Sequence, residues 1–255
     1  PYDGAKSWMS FRTAARSVSS GRMAARVADE TQSTAGTGSA IADAECFLFD
    51  FDGTLAPNLD LPDMRRRVVA LTRERGVPDE IFERLYIVEI IETSARWLAD
   101  RNPEIGESYR QAGHLLITQF EVEAARATHP FPEIRQTLGK LRAKRKRIGI
   151  VTRSCTSAVR TVFGDIDDYC DSVLARDNVA HLKPDARHLT QALQALGLPA
   201  GPAVMVGDGA LDMQVGRELD MFCVGVLTGS GTTEQLREAG AQLILPRASD
   251  LLRYL

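Results

Sequence analysis

The chain has 255 residues, 44% of them hydrophobic and 25% charged, and a formal net charge of −3. That is enough for one well-buried core with a small accessory domain, and the mild acidity argues against a nucleic-acid or membrane-surface role. No apolar run approaches the roughly 20 residues of a membrane span. The four cysteines, Cys46, Cys155, Cys170 and Cys223, form no C-x-x-C pair, as expected of reduced thiols in a reducing compartment.

Residues 1–44 are rich in Ser, Ala, Gly, Thr and Arg and contain a linker-like stretch over 31–39, so they read as a flexible N-terminal tail. Lys6, Arg12, Arg16, Arg22 and Arg26 outnumber the acids before that stretch, a bias shared with organelle transit peptides. The expected location is the cytoplasm, with organelle targeting by the tail left open. Trp8 lies in this tail and carries no reading.

The next segment, Cys46-Phe47-Leu48-Phe49, is a continuous apolar run and reads as a buried strand. It leads into Asp50-Phe51-Asp52-Gly53-Thr54-Leu55. Residues i and i+2 of a strand share a face, so the two carboxylates start out pointing the same way, until Gly53-Thr54 breaks the strand and re-aims the second. Carboxylates this close repel each other, and a hard cation relieves the repulsion. An oxygen-rich site of this kind suits Mg²⁺. One acid can then hold the metal and attack while the other manages protons.

Residues 56–130 read as helical. Asp60, ahead of Pro62, is an N-cap followed by a first-turn proline. Ile81, Leu85, Val88, Ala95 and Leu98 recur at helical spacing up to Asn102, with Trp97 on or beside that stripe. Asn102-Pro103 opens another helix, in which Ile105, Tyr109, Ala112, Leu116 and Phe120 repeat the period. Two amphipathic helices joined by a tight turn form a hairpin that must bury its stripe.

From residue 131 onward helix and strand alternate. Helices are expected over 133–144, 156–163, 184–196, 211–219 and 233–239, and strands over 148–152, 172–174, 203–206, 222–226 and 242–245. Alternation of this kind predicts a parallel sheet covered by helices on both faces. The strand ahead of Asp50 joins that sheet, which makes the helical segment an insertion between the first and second strands. The expected fold is α/β: a three-layer, Rossmann-like parallel-sheet core over 45–55 and 131–255, with a helical cap over 56–130. Ligands of such sheets bind beyond the carboxyl ends of the strands.

Three later strand ends carry polar groups suited to a phosphate. Thr152, in Ile150-Val151-Thr152-Arg153-Ser154, supplies a hydroxyl ahead of a helix N-terminus. Lys183, just before Pro184, can neutralise a phosphoryl oxygen. Val204-Met205-Val206-Gly207-Asp208 delivers a carboxylate, and Asp212 follows one helical turn later on the same side.

In this order, the four segments resemble the four motifs of the haloacid dehalogenase-like hydrolases. The resemblance spans about 45–255, and its first and fourth motifs are the specific ones. The insertion after the first strand is similar to the helical-cap branch that includes phosphoglycolate phosphatases. The resemblance implies that Asp50 is the nucleophile, forming an aspartyl-phosphate, and that Asp52 is the general acid and base. It implies that Thr152 and Lys183 hold the phosphoryl oxygens. The Mg²⁺ ligands would be Asp50, the backbone carbonyl of Asp52 and Asp208, with Asp212 supporting directly or through water. The acid at position 52 separates the chain from the dehalogenases of the family. The implied activity is a Mg²⁺-dependent phosphomonoesterase acting on a small phosphorylated metabolite. A phosphomutase and a non-catalytic binding protein of the same fold are its rivals. Neither a nucleic acid nor a membrane is an expected partner, and the protein is expected to be a monomer or homodimer.

One departure from the pattern is Arg153, where many relatives have Asn; it either contacts an acidic substrate or sits solvated on its loop. Arg65-Arg66-Arg67 at the start of the insertion reads as a mainly solvated face. The basic run over 142–147 reads as helix C-terminal cations complementing the dipole. His114, His129, His181 and His188 lack metal-ligand spacing and read as surface or packing residues.

Overall fold

The computed structural model describes residues 38–198 and 202–255. The expected tail therefore lies outside the described residues up to position 37, together with Trp8 and the five basic positions. Its last part departs from expectation. Residues 38–43 are helical, and Ile41 and Ala44 are buried in the core, so the compact part begins before residue 45.

Six strands form one sheet in the order β3-β2-β1-β4-β5-β6. They are β1 (Cys46–Phe49), β2 (Arg147–Val151), β3 (Ser172–Leu174), β4 (Ala203–Gly207), β5 (Phe222–Val226) and β6 (Leu243–Leu245), and every pairing is parallel. β1 is central, with Phe49 opposite Ile150 on one side and Val206 on the other. Its four residues are all buried, which is why it reads as a continuous apolar run rather than an alternating one.

Alternate residues still serve different layers. Phe47, Phe49, Ile148, Ile150, Val204 and Val206 join a cluster with α4 (Ile134–Ala143) and α5 (Thr156–Val162). Leu48, Met205 and Cys223 face the opposite cluster, with α6 (Arg187–Ala195) and α7 (Ala210–Glu218). A shorter helix, α8 (Thr233–Glu238), precedes β6. The result is the three-layer α/β arrangement read from the alternation. α6 starts later than expected because Asp185 accepts from the backbone N–H of Arg187 at 2.9 Å, which makes Pro184-Asp185 a turn.

Between β1 and β2 the chain forms α1 (Leu61–Glu74), α2 (Ile87–Ala99) and α3 (Pro103–Ala125). These helices share a core of their own, including Met64, Val68, Phe82, Ile90, Ile91, Leu98, Tyr109 and Ile117. Each fully buried aliphatic side chain there contributes about 1.5–3 kcal/mol. The caps at Asp60 and Asn102 form as the sequence indicates.

Two expectations here are corrected. The stripe beginning at Ile81 is not one helix, because Ile81 closes a short 3₁₀ turn (Asp79–Ile81) and α2 begins only at Ile87. On α3 the buried line is Gly106, Tyr109, Gly113, Ile117, Glu121 and Ala125, while Ile105 is exposed. The shift comes from close helix approach: a Cβ on Gly106 would stand 2.6 Å from the Ala95 carbonyl, and one on Gly113 would stand 2.9 Å from Ile91. Trp97 is partly buried against the same core.

The insertion leaves and re-enters the core at one point, where the Phe131 N–H donates to the Leu55 carbonyl at 2.9 Å. No helix among the described residues is long and apolar enough to cross a membrane. Cys46, Cys155, Cys170 and Cys223 are all buried and free, and burial pushes the Cys46 thiol up to about 12.

Candidate active site

The sheet register brings the carboxyl ends of β1, β2 and β4 level with one another. Asp50 is the first residue beyond β1 and donates its N–H to the Val206 carbonyl at 2.9 Å. Thr152 follows β2 and Asp208 follows β4. Gly53 turns the chain away from the strand with φ +79°, and a Cβ there would stand 2.6 Å from the Asp208 carboxylate. A side chain at this position would therefore meet both backbone strain and a steric clash.

Three carboxylates converge at these ends. Asp50, Asp208 and Asp212 each offer an oxygen within 4.8 Å of the others, and all three are buried. Lys183 is itself buried and donates to Asp50 Oδ1 at 2.7 Å and to Asp212 Oδ1 at 2.6 Å. The loop carrying it is pinned by His188, whose Nδ1 accepts from the Lys183 N–H at 3.3 Å, while Nε2 faces the Leu174 carbonyl at 3.2 Å. That pairing requires a neutral ring with its proton on Nε2. Burial, with the Lys183 charge nearby, holds His188 down to about 4, so it packs and positions, as its spacing indicates.

One ammonium cannot balance three acids in a poorly solvated space. Burial raises the Asp50 carboxyl well above its ordinary range, opposed by Lys183 and reinforced by the charges of Asp212, Asp208 and Asp52. Burial and the neighbouring Asp212 likewise raise Asp208, although hydrogen bonds from Ser230 and Asn58 oppose them. Lys183 is pulled below its ordinary range by burial, but Asp212 and Asp50 outweigh this and hold it above. An all-oxygen, net-negative cluster of this kind fits a hard divalent cation such as Mg²⁺.

Asp52 stands apart from the cluster, its carboxylate accepting from Ser154 Oγ at 2.6 Å. Removal from water lifts its carboxyl to about 6, with the Ser154 hydrogen bond working against the rise. Thr152 is fully buried, and its hydroxyl accepts from the Ser154 N–H at 3.1 Å. It therefore closes a turn rather than capping α5, which starts at Thr156.

A cavity of about 430 Å³ lies over these groups and is lined by Asp50, Asp52, Thr152, Arg153, Lys183, Asp208 and Asp212, so all the site residues read from the sequence meet in one place. Arg153 is neither free nor solvated. It pairs with Glu89 of α2 at 2.7 and 3.0 Å, donates to the Lys183 carbonyl, and lies 5.4 Å from the Tyr86 ring centre. Of the arginine triplet, Arg65 donates to the Glu83 and Leu85 carbonyls, while Arg66 and Arg67 pair with Asp63. None of the three lines the cavity. In the basic run, Arg142 and Arg147 pair with Asp171, and Lys144 and Lys146 donate to backbone carbonyls.

Several contributors carry no local signal in the sequence. Ser154 lies two positions after the motif residue Thr152, and only its hydrogen bond to Asp52 marks its role. Asn58 and Ser230 reach Asp208 from distant loops, Ser230 through both its N–H at 2.7 Å and its hydroxyl at 3.1 Å. Glu121 of α3 pairs with Arg176 beyond β3 in a nearly dry contact, and it also accepts the Cys155 N–H at 2.9 Å. Arg176 further donates to Thr118 Oγ1 at 3.0 Å and to the Arg153 carbonyl at 2.9 Å.

Residues 44–220 match the haloacid dehalogenase-like hydrolase family. Among curated proteins, a phosphoglycolate phosphatase of Yersinia pestis is 25% identical over 80% of this chain and 90% of its own. The pyrophosphatase PpaX of Bacillus velezensis is 27% identical over 80% and 93%. The solved structure of a beta-phosphoglucomutase from Clostridium difficile superposes with a TM-score of 0.59 at 17% identity, covering 82% of this chain and 93% of that one.

Proposed function

We propose that this chain, which belongs to the haloacid dehalogenase-like hydrolases, is a Mg²⁺-dependent phosphomonoesterase acting on a small phosphorylated metabolite. The observation that carries this reading is the buried meeting of Asp50, Asp208, Asp212 and Lys183 beneath the cavity, with Asp52 held apart by Ser154. A phosphatase needs one carboxylate to attack phosphorus and another to handle the proton, and the two have distinct surroundings here.

Asp50 attacks the phosphorus, and the ester P–O bond breaks as Asp52 gives its proton to the departing alkoxide. Asp52 then takes a proton from water as the water oxygen attacks the aspartyl-phosphate. Phosphate leaves and the Asp50 carboxylate is restored. Lys183 and the Thr152 segment hold the phosphoryl oxygens through both steps. Asp50, Asp208, the Asp52 carbonyl and Asp212, directly or through water, would hold the Mg²⁺, whose charge offsets that of the phosphoryl group. The helical insertion acts as a cap that keeps bulk water from the first step.

Free phosphate should appear from an aryl phosphate with Mg²⁺ and stop with EDTA; metal-independent or absent turnover across a broad panel of phosphate esters would favour a binding protein of this fold. A phosphomutase would share the first step, and the mutase among the structural neighbours keeps that reading in view. With ¹⁸O-water the hydrolase places label in released phosphate, whereas a mutase transfers phosphoryl groups between sugar oxygens without it.

The Ser154 hydroxyl stabilises the charged form of Asp52, so removing it should raise this carboxyl above its value of about 6. The leaving group needs the protonated acid, and kcat/KM for an alkyl phosphate should fall as pH rises through that value. In Ser154→Ala this alkaline limb should move to higher pH. A limb that stays in place or moves down would remove Asp52 from the proton-transfer role.

A further inference from the structure

The helical insertion lines the cavity mainly with hydrocarbon: Leu61 and Met64 of α1, Tyr86, Ile87 and Val88 at the start of α2, and Ile117 of α3, with Glu121 as its one charged side chain among the described residues. Leu61 and Tyr86 remain 39% and 49% exposed, an uncovered apolar surface that a ligand would be favoured to cover.

Charge is equally restrictive. Among the described residues the cavity wall has three cationic side chains, Lys183, Arg153 and Arg176, and each is already engaged. Lys183 lies between Asp50 and Asp212. Arg153 uses both terminal nitrogens on Glu89. Arg176 is held by both Glu121 oxygens, Thr118 and a backbone carbonyl. A leaving group with its own negative charge would lose its water against hydrocarbon, with no unpaired cation to meet it and with Glu89 and Glu121 close by.

From this we infer that the substrate is the phosphate monoester of an uncharged, apolar alcohol, aromatic or branched aliphatic, whose hydrocarbon part fills the space beneath Tyr86 and Met64. This rests on the phosphomonoesterase reading and sets the chain apart from relatives named for phosphoglycolate and pyrophosphate. A 430 Å³ cavity has room for a phosphoryl group and one ring or short branched chain.

The test compares kcat/KM for benzyl phosphate and 3-methylbutyl phosphate with phosphoglycolate, pyrophosphate and glucose 6-phosphate, using p-nitrophenyl phosphate as a control for the chemistry. The apolar esters should lead by about tenfold or more, the scale on which hydrophobic pockets discriminate. Parity, or a lead for any charged or sugar substrate, overturns the inference and leaves the phosphatase reading intact. Failure to hydrolyse any ester, p-nitrophenyl phosphate included, overturns both. Benzylphosphonate, which cannot turn over, should bind the Mg²⁺-loaded protein at least about tenfold more tightly than phosphonoacetate in calorimetry, and the reverse order sinks the idea independently of catalysis. In Glu89→Gln the Arg153 guanidinium loses its counter-charge, so the ratio of phosphoglycolate to benzyl phosphate kcat/KM should rise by about tenfold. An unchanged ratio would show that neutralised cations do not set the preference.

Discussion

Replacing Asp50 by asparagine is expected to lower turnover on every phosphate ester by more than about 10⁴-fold, the scale for deleting a nucleophile, while making the metal-free protein more stable at neutral pH. The two effects share one cause. The charge that attacks phosphorus is held out of water among Asp212, Asp208 and Asp52, so ionising it disfavours the folded state. Because the folded-state carboxyl titrates above its unfolded value, wild-type stability falls as pH rises from the unfolded value through the folded one. The stability advantage of Asp50→Asn should therefore appear as pH rises and vanish in acid. Calorimetry in EDTA at two pH values would read it, at roughly 2–4 °C for each kcal/mol in a protein of this size. Mg²⁺ should raise the wild-type melting temperature and leave Asp50→Asn nearly unmoved. Asp52→Asn should behave differently, because its backbone carbonyl remains. Mg²⁺ stabilisation should survive, and the loss in rate should be about 10²–10⁴-fold on an alkyl phosphate but smaller on an activated aryl phosphate. Equal losses for both variants on both substrate types, with Mg²⁺ affinity unchanged, would remove the division of labour between the two acids.

Breaking the Glu121–Arg176 contact should be the most destabilising single change outside the sheet. Both side chains are nearly dry, at 2% and 5% exposure, so Arg176→Met leaves an unpaired buried carboxylate and should cost about 3–5 kcal/mol in denaturant unfolding. The double variant Glu121→Leu with Arg176→Met should recover most of this, because no charge is left stranded. Recovery should stop short of the wild type by about 1–3 kcal/mol, because the Cys155 N–H loses its acceptor. Additive losses in the double variant would show that the two charges do not depend on each other.

The legible parts of the protein were those whose causes are local. β1 and β4 announce themselves because strands buried on both faces read as apolar runs, and Asp50 and Asp208 stand out because they end such runs. The caps at Asp60 and Asn102 need only the next three residues. The apolar stripe of α3 holds at Tyr109, Leu116 and Phe120, which pack into or against the helical core, and fails at Ile105, which is exposed. A period of large side chains does not reveal the close approach to α2 at Gly106 and Gly113. A serine in a turn has many uses, and only the position of Asp52 picks one for Ser154. Glu121 and Arg176 are separated by 55 positions, and nothing near either residue in the chain names its partner. Arg153 lines the cavity as its motif position indicates, and its partner Glu89 comes from the helical insertion, 64 positions away, with nothing nearby in the chain to name it.

The hydrogen bond between Phe131 and Leu55 makes the three-helix excursion a loop whose mouth is one peptide wide. Exchanging such a loop would leave the strand pairing itself intact, because both of its ends meet at this one bond. Side chains also tie the excursion to the core: Arg153 pairs with Glu89, Arg176 with Glu121 and Thr118, Glu121 accepts the Cys155 N–H, and Ala125 packs into the core cluster. Any transplanted excursion must bring matching acids with it, or arrive with both arginines already replaced.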